Sequence, residues 1–157
     1  MGFFKRKVKI KDYCHKKFDY IFSENGKKFM DNLIDEGGIS IDEESKANYY
    51  INFIAAYFEL TEIAFSRKLN RDLRYEALEI SSEYLREKNA SNIDALIRVY
   101  NSAFGSSFED GIGPMADTIA NNISEKSRPH TAKYFYGVFY GIIEAFMRDL
   151  KAVKIIA

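Results

Sequence analysis

Few side chains in this chain combine reactive chemistry with a spacing that would let them act together. Cys14 and His15 are neighbours, the pairing that a thiolate nucleophile and its base would need. On a helix, however, adjacent residues point roughly 100° apart, so the two cannot face one target. A Cys-His pair would require His130, the only other histidine, to be brought in by the fold. Glu59 and Glu62 are the best-spaced carboxylates, but no Glu-x-x-His accompanies them. A carboxylate-bridged metal centre in a helical bundle would need that pattern. Two histidines and one cysteine also leave too few ligands for a dedicated zinc site.

Gly111-Ile112-Gly113-Pro114 leads into an expected helix start, where free backbone donors can hold an anion. It lacks the Lys-Ser/Thr ending of a phosphate loop and follows no strand signal. Ser106 and Ser107 have no base in view. No residue is therefore assigned a catalytic, cofactor or metal role.

The elements that would position these residues read as helices. The chain has 157 residues, 46% of them hydrophobic and 15% aromatic, with 13 Phe, 11 Tyr and no Trp. A chain of this size buries roughly two-thirds of its unfolded surface, enough for a core without covalent staples. Buried tyrosines must place their hydroxyls where a partner can reach them. Basic and acidic residues balance at 23 each, which removes the electrostatic footprint of a nucleic-acid surface. A lone cysteine and the lack of a signal-peptide pattern point to a reducing, cytoplasmic setting. Arg6 stands where a myristoylation signal would want Ser or Thr.

Apolar residues recur at helical spacing from about Lys11 to Phe22. A break is expected at Ser23-Glu24-Asn25-Gly26, then a short helix through Phe29, Met30, Leu33 and Ile34 that ends at Gly37-Gly38. Ser40 with Glu43 reads as a capping box for a long helix reaching about Leu69. Its apolar arc is broad enough for a central position, with Asn52, Glu59, Glu62 and Ser66 on an outward polar strip. Asn70 and Ser91 are cap candidates for the next two helices, and Gly105 for a helix end. Residues 105 to 113 read as a loop, with Pro114 opening the next helix. After Ser127-Arg128-Pro129 the last helix runs to about Lys151. Val8-Lys9-Ile10 and Ile155-Ile156 are extended tails too short to claim as strands. The expectation is an all-α bundle of about six or seven helices, with one domain over residues 11 to 157 and an N-terminal arm over residues 1 to 10.

Two stretches stand out as contact surfaces. The last helix carries Gly137 and Gly141 one turn apart, on a stripe with Glu144, Arg148 and Tyr134. Its apolar run falls short of the roughly 20 residues a membrane span needs. Each interior glycine costs about 1 kcal/mol relative to alanine, so the pair asks for a close approach. Another helix of the same chain is the first expectation, a second subunit or partner the next, and a small molecule the last. The other stretch is Phe3, Phe4, Lys5, Arg6 and Lys7, suited to an anionic membrane surface.

The functional expectation is a non-enzymatic cytoplasmic helical module acting through protein contacts, with a homodimer as one form. One alternative is a helical bundle, binding or enzymatic, with a pocket lined by tyrosines such as Tyr49, Tyr57, Tyr136 and Tyr140. The other is a peripheral membrane protein attached through its basic, aromatic N-terminus.

Overall fold

A computed structural model describes residues 4–104, 108–123 and 128–157. Among these residues the chain forms seven helices and one two-stranded sheet, an all-α bundle with short connections. Strand β1 (Arg6–Lys9) leads directly into α1 (Ile10–Phe22). Helix α1 buries Ile10, Cys14, Phe18 and Ile21, spaced to fall on one face. The expected break near Gly26 is a one-residue corner: α2 (Glu24–Glu36) starts immediately after Ser23, whose hydroxyl accepts the Gly26 N–H. A Cβ at Gly26 would lie 2.3 Å from the Tyr20 carbonyl oxygen, so the corner closes only around glycine. Helix α2 ends at Gly37-Gly38, where Gly38 takes a φ of 62° that favours glycine.

Helix α3 (Glu43–Lys68) is the central element, packed against six other helices. Its cap is Asp42 rather than Ser40: the Asp42 carboxylate accepts the Ser45 N–H at 2.7 Å. Asn70 caps α4 (Arg71–Glu87) as expected, accepting from the Leu73 N–H. Helix α5 (Ser91–Phe104) begins one residue earlier than a Ser91 cap would have it, since the Ala90 carbonyl already accepts the Asp94 N–H.

Helix α6 (Phe108–Ile123) corrects the expected loop, because Pro114 lies inside it rather than at its start. Ile112, Met115, Ile119 and Ile123 are all buried, and this apolar period runs straight across the proline. Burial of Ile112 thus outweighs the one backbone donor that Pro114 lacks. Gly105, Ser106 and Ser107 lie outside the described residues.

Helix α7 (Arg128–Ala152) buries Phe135, Phe139, Ile143, Phe146 and Leu150 against α3 and α6, the face expected of it. It runs without a turn into β2 (Val153–Ile156), which pairs in parallel with β1, Arg6 opposite Val153 and Lys9 opposite Ile156. The two extended tails are therefore strands, and residues 6–9 of the expected arm are held in place.

Candidate functional site

The described part of the basic N-terminal segment is divided by its own strand geometry. Successive β residues point to opposite faces. Arg6 and Val8 accordingly turn toward a groove over α1 and α7, while Lys5 and Lys7 line the other side with Val153 and Lys154. Phe4 is fully exposed; Phe3 lies outside the described residues.

The groove holds roughly 720 Å³, within the range of small-molecule sites. Its walls come from four helices and the sheet: Tyr13 and Tyr20 of α1, Phe29 of α2, Tyr57 of α3, Ile142 and Phe146 of α7, and Val153 of β2. The Tyr57 and Phe146 rings meet edge to face at 5.1 Å, which closes the floor. Polar groups gather along one side. Lys17 Nζ is 2.7 Å from Asp149 Oδ2, 4.6 Å from the Phe146 ring centre and 5.5 Å from that of Tyr13. Arg6, Asp12 and Lys16 complete this charged side.

A tyrosine-lined pocket was one expectation, and of the four tyrosines named for it only Tyr57 lines this groove. Tyr49 is buried elsewhere and donates to the Met30 carbonyl at 2.8 Å, while Tyr136 and Tyr140 lie exposed on α7. Tyr13 and Tyr20 are the residues that reading missed. Their spacing is legible as a helical stripe, Tyr13, Lys17 and Tyr20 at i, i+4 and i+7, but the covering elements α7 and β2 come from far along the chain.

Tyr13 differs from the other core-margin tyrosines. The hydroxyls of Tyr49, Tyr50, Tyr84, Tyr100 and Tyr134 each donate to a carbonyl or carboxyl oxygen. The Tyr13 hydroxyl is buried without a hydrogen-bond partner among the described residues. Burial, assisted by the charge of Asp149, pushes its pKa far up, so it keeps its proton and stays a donor.

The glycine stripe of α7 is open. A Cβ at Gly137 or Gly141 would meet nothing within 4 Å among the described residues, and both glycines are exposed beside Glu144 and Arg148. No other described helix approaches them closely, unlike the first expectation for them. The core-facing aromatic residues occupy the opposite side of the helix, so these glycines turn outward. Tyr134 departs from the stripe: its hydroxyl donates to the Leu33 carbonyl at 2.8 Å and its ring closes over Gly37. With His130 against the Gly37 carbonyl at 3.2 Å, it fastens α7 to the end of α2.

The polar strip of α3 divides: Ser66 is exposed as expected and Glu62 half-buried, but the other two members are buried. Asn52 and Glu59 are 7% and 1% exposed, turned inward rather than outward. Asn52 is satisfied, donating to the Asn48 carbonyl and accepting from the Tyr100 hydroxyl of α5. Glu59 lies beside Glu62, and among the described residues its Oε2 has no hydrogen-bond partner. Burial, then the charge of Glu62, holds the Glu59 carboxyl well above the usual carboxylate range. Glu62 is raised too, by burial, against the opposing pull of Glu59 beside it and of Arg74. These carboxyls do not form a metal site: among the described residues no three potential ligands converge.

Cys14 is fully buried, and desolvation followed by the charge of Glu76 pushes its thiol up to about 12, the opposite of an activated nucleophile. His15 lies edge-on to Tyr84, and His130 is engaged at Gly37. Gly111 and Gly113 fall within α6, so they offer no free helix start for an anion.

Among the described residues no helix is long and apolar enough to cross a membrane. Comparison with protein-family models, curated proteins and solved structures found no match.

Proposed function

We propose that this protein is a non-enzymatic binding module whose ligand is a small, largely apolar molecule held between α1, α7 and the terminal sheet. The observation that carries this reading is the roughly 720 Å³ groove, whose rings are pre-packed and whose buried Tyr13 hydroxyl has no partner among the described residues. A concave apolar wall with a few convergent polar groups is the usual make-up of a ligand site. Leaving a buried donor unpaired costs about 1–3 kcal/mol, and an acceptor on a ligand would recover that cost.

The test is a nuclear magnetic resonance titration with 4-phenylbutanol and 4-phenylbutyrate. Saturable shifts are expected at Tyr13, Tyr57 and Phe146. Replacing exposed Ala145 at the groove edge, as Ala145→Trp, should abolish them while the spectrum stays folded. Absence of saturable binding by either compound overturns the reading.

A second reading, contact with a protein partner or a second copy, is favoured by the open stripe of Gly137 and Gly141 flanked by Tyr136 and Tyr140, 39% and 40% exposed. A sedimentation mass of one chain at high concentration would argue against the homodimeric form. A cytoplasmic setting fits both readings. Attachment to a membrane surface draws its support from Phe4 and the exposed Lys5 and Lys7.

A further inference from the structure

We infer that the groove receives an apolar carboxylic acid, its carboxylate taken by the Lys17 ammonium and the Tyr13 hydroxyl. The inference rests on the binding reading above and narrows it to one ligand chemistry. Tyr13 and Lys17 are one helical turn apart on α1 and share a face. The Lys17 side chain is only 19% exposed, its ammonium poised over the Phe146 and Tyr13 rings. A cationic ligand would have to displace it from those rings. A carboxylate can instead add to the donors already there.

Asp149 shows where such a group is received, with its Oδ2 2.7 Å from Lys17 Nζ. That carboxylate is 54% exposed, so it can turn into water at small cost and yield its place. Lys17 cannot leave as readily, because its stem lies within the aromatic wall. Tyr13 adds a buried proton donor that nothing else among the described residues satisfies. At the rim, Arg6 and Lys16 face Asp12, leaving an excess of positive charge once Lys17 and Asp149 are paired. Tyr57, Ile142 and Phe146 supply the surface for the apolar body.

Calorimetric titration of the full chain near neutral pH, with three ligands of one shape, separates the outcomes. 4-Phenylbutyrate should bind at least about tenfold more tightly than 4-phenylbutanol, with 4-phenylbutylamine weakest. Lys17→Met and Tyr13→Phe keep the stem and the ring. Each should weaken the acid about tenfold and the alcohol by a clearly smaller factor, with circular dichroism checking that both variants fold. Equal binding of acid and alcohol, or tightest binding of the amine, overturns the carboxylate inference while the groove itself stands as a site. If none of the three binds, the underlying reading fails instead.

Discussion

Glu59 is the residue whose environment departs furthest from what its type prefers. It is 1% exposed, one of its carboxyl oxygens has no hydrogen-bond partner among the described residues, and the charge of Arg74 acts on the neighbouring Glu62. Because burial raises its pKa, the folded chain keeps a proton that the unfolded chain releases above about pH 4.3. The native state then binds more protons, so the stability this site contributes is complete at low pH and falls as pH rises through neutrality. Glu59→Gln imitates the protonated form. It should raise stability by about 2–4 kcal/mol at pH 7 and remove a slope of about 1.4 kcal/mol per pH unit, read from urea unfolding between pH 5 and 8. A variant with the parent's pH slope would place the proton elsewhere.

At the scale of elements, α3 and the glycines show how one pattern reverses meaning with its surroundings. A polar strip on a mostly apolar helix ordinarily faces water. In α3 two of its members, Asn52 and Glu59, face inward while Ser66 stays exposed, and the Tyr100 hydroxyl satisfies Asn52. The glycines divide in the same way. Gly26 is held against the Tyr20 and Ile21 carbonyls, whereas Gly137 and Gly141 face open space among the described residues. Gly26→Ala should therefore cost about 1–3 kcal/mol by overpacking. The Gly137→Ala, Gly141→Ala double variant should gain up to about 1 kcal/mol per site from helix propensity. Thermal denaturation of both variants checks the contrast. A destabilised double variant would mean that something does approach the stripe closely.

For the whole molecule, the parallel pairing of β1 with β2 is the decisive long-range contact, since it brings α1 beside the end of α7 and makes the groove. Removing residues 153–157 takes away the partner of β1, the Val153 wall and buried Ile155. The shortened chain should lose about 2–3 kcal/mol of stability, by the burial of one large apolar side chain and its neighbours. It should also bind 4-phenylbutyrate much more weakly at a temperature where it is still folded. Urea titration and calorimetry together read both effects, and unchanged affinity would show that the sheet does not shape the site.

The helices were legible because their information is local: apolar period, the Asn70 cap and the Gly37-Gly38 stop each act within a few residues. The angle that separates Gly137 and Gly141 from Phe135 and Phe139 was legible too, but that the two glycines face open space was not. Three features were decided only by the assembled structure. Pro114 entered a helix because burial of Ile112 outweighed a lost donor. Glu59 turned inward because α3 is enclosed by its neighbours, with α5 supplying the Tyr100 partner of nearby Asn52. The candidate site arose where residues near 13 and near 146 were brought together by strands too short to announce themselves. A four-residue strand has little pattern of its own; its hydrogen bonds belong to a partner strand more than a hundred residues away.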